Sequence, residues 1–266
     1  MSTTTRMIEV SSGLTIKVDE YGDASDGTGV VLLHGGAGPR SVAGFAATLA
    51  EHTFVIVPTH PGFDGTIRTG STDSIDDLAI AYLDLLDALD LHKVMVIGSS
   101  IGGWIGMEMS LRDNRARISA LVLICSTGVE PESPLEIADP AKLGPVKTGE
   151  LAFFRPELRL DPATLSETQK AAMAANQSVQ AIYASVSYDP KLRGRLHRVF
   201  VPVLVIAGEA DGIVPPAYGR SLADSFPRAV FRTVPDAGHF PHIEQPDAVF
   251  SALGDFVDNE VRPDEA

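Results

Sequence analysis

Cysteine is almost missing from this 266-residue chain: Cys125 is the only one, which excludes an intramolecular disulfide and any zinc site built on several thiolates. Tryptophan also occurs once, and aromatic residues make up 6%. Basic residues are few: 21 Lys and Arg stand against 35 Asp and Glu, a net charge of −14. Such a field repels phosphate, and no Lys/Arg-rich run offsets it, so neither nucleic acid nor an anionic membrane surface is an expected partner. Long apolar runs are lacking as well. Stretches such as Ala120–Cys125 fall far short of the ~20 residues a membrane-spanning helix needs. Residues Met1–Val10 contain no apolar core of the kind a secretory signal carries, so a soluble, cytoplasmic protein is expected.

What is present is a globular composition, 44% hydrophobic and 21% charged, in a length that suits one sizeable domain. Met7–Val10 and Leu14–Val18 read as an opening hairpin turning at Ser11, Ser12 and Gly13. Short β-branched runs follow at Val30–Leu33, Phe54–Val57, Val94–Ile97, Leu121–Cys125, Val203–Ile206 and Val230–Val234. Several are continuous rather than alternating, the pattern of parallel strands covered on both faces. Helical spacing lies between them: Ile75, Leu78, Tyr82, Leu85, Leu86 and Leu89 behind a Ser74/Asp77 capping box, a helix after Ser100, one near Tyr218–Phe226, and one over Pro246–Val257. The alternation predicts an α/β fold with a doubly wound, mostly parallel sheet of about eight strands.

Residues 127–199 break the rhythm. No strand pattern is visible there, although ordinary βα connections take only about 2–6 residues. Four prolines (Pro131, Pro134, Pro140, Pro145) precede Ala172, Ala175, Val179, Ile182 and Val186, which recur at helical spacing. The segment reads as a helical cap inserted after the sixth strand, lying over the sheet edge where open α/β sheets bind ligands; residues 1–126 and 200–266 form the core.

The chemistry-bearing signal is Gly98-Ser99-Ser100-Ile101-Gly102, a G-x-S-x-G run between a β-branched strand and a helix. Small flanking residues permit the sharp strand-to-helix turn that exposes a serine hydroxyl, and Ser99 fails the pattern because Ile97 and Ile101 would take the glycine positions. A serine hydroxyl needs a base and an orienting carboxylate. Asp211 follows the strand at 203–206 and His239 follows the strand at 230–234, in the order Ser, Asp, His. Glu209 and Asp236 are rival acids and His242 a rival base; His34 and His60 are expected to orient loop backbone, and His52, His92 and His197 to be solvated or structural. For a developing oxyanion the expected donors are the backbone amides of Ile101 and of Gly36, with Gly35 next, in the run His34-Gly35-Gly36-Ala37-Gly38-Pro39. No Gly-Lys-Ser/Thr follows those glycines, which excludes a P-loop.

Taken together, His34-Gly35-Gly36, His60-Pro61-Gly62-Phe63, the Ser100 elbow, Pro202…Gly208-x-x-Asp211 and Gly238-His239…Pro246 resemble the α/β-hydrolase superfamily from about Val30 to Phe256, the cap excepted. The cap size and glycine-rich loop are similar to those of esterases, lactonases and meta-cleavage-product hydrolases. A serine nucleophile sets the chain apart from the haloalkane dehalogenase and epoxide hydrolase branches. Phe63-Asp64-Gly65 departs from the Phe-Gly-x-Ser that relatives often carry. The resemblance implies a serine hydrolase without metal or organic cofactor, acting on a small molecule: a largely apolar ester or lactone, or alternatively a dienoate C–C bond, or a hydrolase-like receptor. Trp104, Phe153 and Ile182 are candidate pocket residues, with core or cap packing as the alternative; Phe154, Met173 and Tyr183 stand in the same position. A carboxylate-binding arginine, from Arg155, Arg159 or Arg193, would favour C–C hydrolysis.

Overall fold

The computed structural model describes residues 3–10, 13–23, 26–161 and 163–261. The hairpin is β1 (Thr3–Glu9) and β2 (Thr15–Tyr21), paired antiparallel; its expected turn residues Ser11 and Ser12 lie outside the described residues. Next come β3 (Val30–Leu33), α1 (Ala43–Leu49), β4 (Val55–Pro58), α2 (Ile75–Ala88), β5 (Val94–Ser99), α3 (Ile101–Arg112) and β6 (Ile118–Ile124). After the intervening segment the chain resumes with β9 (Val203–Gly208), α6 (Pro216–Ala223), β10 (Ala229–Val234), α7 (Pro241–Glu244) and α8 (Pro246–Phe256). The intervening segment itself holds β7 (Gly128–Val129), α4 (Pro140–Ala152), α5 (Glu167–Tyr183) and β8 (Tyr188–Asp189).

Eight strands form one sheet in the order β1-β2-β4-β3-β5-β6-β9-β10; β2 meets β4 antiparallel, and the pairs from β4 to β10 are parallel. The continuous apolar runs follow from burial on both faces. Val31, Leu33, Val96, Leu121 and Val205 enter one core with Leu78 and Tyr82 of α2 and Ile105 of α3. Their neighbours Val30, Leu32, Ile97, Val122 and Leu204 enter the other with Phe45 of α1 and Val249 of α8. The expected capping box closes α2: Ser74 Oγ accepts from the Asp77 amide at 3.2 Å, and Asp77 Oδ2 accepts from the Ser74 amide at 3.1 Å.

Two expectations for residues 127–199 are corrected. Strands do occur there, but β7 and β8 are two residues each and pair with one another in parallel, too short to leave a periodic pattern. The stripe expected to dock the long helix is also displaced. Val186 lies beyond α5, while Ala175 and Ile182 are exposed; the buried residues are Asn176 and Tyr183. The reason is the surface beneath. α5 rests on two loops rich in backbone polar groups, so polar side chains satisfy it better than an apolar stripe. Asn176 exchanges hydrogen bonds with Asp64, accepting from its amide at 2.8 Å and donating to its carboxylate at 2.9 Å. Tyr183 donates to the Pro61 carbonyl at 2.8 Å.

Candidate active site

The loops leaving the C-terminal ends of β3, β5, β9 and β10 converge on one edge of the sheet, as the parallel order requires. Ser100 stands between β5 and α3 at φ 54°, ψ −119°. A side chain with a non-glycine Cβ holds this left-handed backbone only when its surroundings enforce it. Here the neighbours are packed backbone to backbone: a Cβ on Gly98 would lie 2.3 Å from the Gly102 carbonyl oxygen, and one on Gly102 would lie 2.3 Å from that of Leu33. That closeness is the physical content of the small residues flanking the serine.

Asp211 and His239 are both buried and joined, Nδ1 to Oδ2, at 2.8 Å. The other carboxylate oxygen accepts from the amides of Ile213 at 2.8 Å and Val214 at 2.9 Å, which fixes its plane. With Nδ1 donating to the carboxylate, Nε2 is left as the basic nitrogen. The rival groups lie elsewhere. Glu209 and Asp236 are exposed. His242 is buried with Nε2 on the Ser41 carbonyl at 3.2 Å, and burial pulls its pKa down to about 4. His52, His92 and His197 are exposed.

The glycine-rich loop after β3 is held from below by two stacked imidazoles. His34 Nε2 accepts from the His60 amide at 3.0 Å, so its Nδ1 carries the proton and donates to the Gly35 carbonyl at 2.7 Å. His60 Nε2 meets the His34 carbonyl at 2.8 Å, and its Nδ1 meets the Tyr82 hydroxyl at 2.5 Å. Burial keeps both rings neutral, His34 at about 4 and His60 also well below the ordinary value. The loop reaches the serine directly, since a Cβ on Gly35 would lie 3.0 Å from Ser100 Cβ. Among the described residues, neither the Gly36 nor the Ile101 amide has a hydrogen-bond partner.

The pocket candidates separate. Phe153 is half-buried and stacks on Phe240 at 4.9 Å, which in turn meets His239 edge-on at 5.4 Å. Trp104 belongs to the core beside Gly128, where its indole N–H is buried without a partner among the described residues. Ile182 is 43% exposed. Three residues that the sequence pattern left unmarked stand at the site. Glu244, 1% exposed, accepts from the Gly238 amide at 2.6 Å and the Arg155 amide at 2.7 Å. Gln180 of α5 lies against Gly36. Cys125, just past β6, brings its thiol within 4.8 Å of both the Asp211 carboxylate and the His239 ring. Burial and the Asp211 charge push that thiol well up, so it acts as a donor, toward the Gly238 carbonyl at 3.8 Å, rather than as a thiolate ligand for a cation. Glu244 carries a readable signal only as an acid two residues before α8; nothing in the spacing marks Gln180.

A parallel-sheet edge that combines a serine elbow, a buried carboxylate–imidazole pair and free backbone amides is the architecture of an α/β hydrolase. Residues 30–252 match the alpha/beta hydrolase family, and the chain belongs to that family as a hydrolase. A Pseudomonas syringae protein provisionally named carbamate hydrolase RutD is 27% identical over 248 residues, spanning 88% of this chain and 95% of the relative. The 2-hydroxymuconate semialdehyde hydrolase of Pseudomonas sp. (strain CF600) is 26% identical over 259 residues, 88% of each chain. Among solved structures, an esterase from Exiguobacterium antarcticum superimposes with a TM-score of 0.78 at 18% identity, covering 96% of this chain and 99% of that one. At that identity the likeness establishes the fold. No helix among the described residues is long and apolar enough to cross a membrane.

Proposed function

We propose that the chain hydrolyses a small, largely apolar carboxylic ester or lactone through an acyl-enzyme. Ser100 Oγ attacks the acyl carbon while His239 Nε2 takes its proton; Asp211 holds the imidazole in the tautomer this needs and stabilises its charged form. The Gly36 and Ile101 amides receive the oxyanion, each donor worth about 2.7–4 kcal/mol in comparable sites. His239 then protonates the leaving alkoxide. Water activated by the same imidazole attacks the acyl-enzyme, releasing the acid and restoring the Ser100 hydroxyl. The steps draw on no metal or organic cofactor. Residues 127–199 act as the helical cap over this edge, with α5 as its contact to the two glycine-bearing loops.

The observation that carries this reading is the buried Asp211–His239 pair, 2.8 Å apart, at the same sheet edge as a left-handed serine and two amides without partners among the described residues. Dienoate C–C hydrolysis is less well supported, because the cap arginines it would use are engaged. Arg155 is bound to Glu157 and the Glu244 carbonyl, Arg159 to the Phe153 carbonyl, and Arg193 to Ser225 and the carbonyls of Ser221 and Glu130.

The test is kcat/KM on short-chain p-nitrophenyl esters with Ser100→Ala as the control. Values near 10⁴ M⁻¹s⁻¹, about the lower end for enzymes on their own substrates, are expected. Ser100→Ala should lower kcat by roughly 10⁴–10⁶. Turnover that survives the substitution rejects the assignment of the nucleophile, and background rates in the wild type move the weight to C–C hydrolysis or to a receptor role.

A further inference from the structure

We infer that Gln180 is a specificity-determining residue, its amide reading a hydrogen-bonding substituent on the carbon next to the scissile carbonyl. The inference rests on the hydrolase reading above. A Cβ placed on Gly36 would lie 1.9 Å from Gln180 Oε1, 2.7 Å from Cδ and 3.2 Å from Nε2, so the amide group of the cap helix is in contact with the glycine that offers a free N–H. A substrate whose carbonyl oxygen is held by the Gly36 amide has its acyl carbon facing Ser100. A group seated on Gly36 is then next to the first atom of the acyl chain.

The position of Gln180 is built rather than incidental. Asn176 lies four residues earlier on the same helical face and is locked by its reciprocal pair of hydrogen bonds to Asp64. Val179 fills the space over Gly62, where a Cβ would lie 2.9 Å from its Cγ1, and Tyr183 is tied to Pro61 one turn further on. Both ends of this face are anchored, and Gln180 is carried between them onto Gly36. Yet among the described residues the side-chain hydrogen bonds of α5 do not include the Gln180 amide. Anchors need partners, and this side chain has none. A half-buried amide with both a donor and an acceptor free at the acyl end of the site matches a hydroxyl, oxo or amide substituent better than a plain alkyl chain.

The experiment compares methyl 2-hydroxybutanoate with methyl butanoate by pH-stat, in the wild type and in Gln180→Leu. The pair differ by one hydroxyl, and their difference in intrinsic reactivity cancels between enzyme and variant. The wild-type preference for the hydroxy ester is expected to fall about tenfold in Gln180→Leu, the loss of one neutral hydrogen bond, with methyl butanoate changed less than about threefold. Melting temperature should change by no more than about a degree or two, because among the described residues the side chain has no hydrogen bond to lose and Leu keeps comparable bulk against Gly36. An equal decline on both esters, or a melting temperature several degrees lower, makes Gln180 a packing residue and overturns the inference. Calorimetric binding of 2-hydroxybutanoate and butanoate reads the same preference without turnover. Preference present in the wild type and lost in Gln180→Leu upholds the role of Gln180 even where neither ester is hydrolysed beyond the Ser100→Ala control, an outcome that rejects ester hydrolysis alone. Absence of any Gln180-dependent preference in both measurements rejects the role of Gln180.

Discussion

Mild acid should destabilise this protein, and the cause lies in buried imidazoles. His34 and His242 are fully enclosed, and burial lowers each from 6.5 to about 4. In the unfolded chain both regain the ordinary value, so between pH 6.5 and 4 the unfolded state binds more protons. The stability they contribute is complete above pH 6.5 and is lost as pH falls toward 4. At pH 5 each costs about 2 kcal/mol relative to pH 8, or about 4 kcal/mol for the pair, against a typical total of 5–15 kcal/mol. His60, lowered by burial and by His34, adds in the same direction. Glu108 opposes them, since burial raises its carboxyl and favours the fold at lower pH. A comparison that cancels Glu108 is therefore needed. His242→Phe retains a ring against Phe45 and Phe240 while removing the titration. Urea unfolding at pH 8, 6 and 5 should show the wild-type midpoint falling by about 1 M or more, for an m-value near 3 kcal/mol/M. The decline should be shallower in His242→Phe, by about 2 kcal/mol at pH 5. Parallel pH profiles for the two proteins would refute the argument, because they would mean that His242 protonates as easily folded as unfolded.

Other expectations follow from single contacts. His239→Ala should reduce ester turnover nearly as severely as Ser100→Ala, while His242→Ala should leave kcat within about tenfold; steady-state kinetics would exchange the two histidines if the pattern were reversed. Glu244→Gln replaces an acceptor shared by two backbone amides with a group that cannot accept at both oxygens, and should cost about 2–3 kcal/mol in urea unfolding. Gly102→Ala drives a methyl to 2.3 Å from the Leu33 carbonyl, so it should yield insoluble or inactive protein, and full activity with an unchanged melting temperature would contradict the close packing of α3 on β3.

The central strands β3, β4, β5, β6 and β9 are legible because their side chains are buried on both sides, which leaves continuous apolar runs of four to seven residues; β10, at the sheet edge and partly exposed, is legible from its β-branched residues and the turn before it. Ser100, Asp211 and His239 could be singled out for the same reason: each follows such a run at the sheet edge where parallel strands end. The hairpin β1–β2, the capping box at Ser74 and the alternation of strands and helices along the chain are local or periodic features, and periodicity reports them. Contacts between distant loops leave no such trace. The docking face of α5 is set by Asp64 and Pro61, more than a hundred residues away, so of the apolar stripe Ala172 and Val179 turn partly inward while Ala175 and Ile182 are exposed. Glu244 binds backbone amides, which every residue possesses, and Gln180 packs against a glycine from a distant loop, so no residue type at the other end marks the partner. Cys125 was read as the end of a strand, whereas it has left the sheet with a left-handed backbone at φ 46°.

The short stretch from Leu151 to Arg155 closes α4, and its backbone is bonded both to the residue after Asp211 and to His239. The Leu151 carbonyl accepts from the Gly212 amide at 2.9 Å, the Ala152 carbonyl accepts from the His239 amide at 2.7 Å, and the Arg155 amide is bound by the same Glu244 carboxylate that holds Gly238. Residues 151–155 thus supply part of the scaffold on which the Asp211 carboxylate and the His239 imidazole are aligned. Grafting another hydrolase's insertion onto this core would therefore change turnover as well as selectivity, unless residues 151–155 stayed behind with their partners at 211–212 and 238–244. In an exchangeable architecture the seam for recombination lies inside α4, not at the points where the insertion leaves and rejoins the sheet.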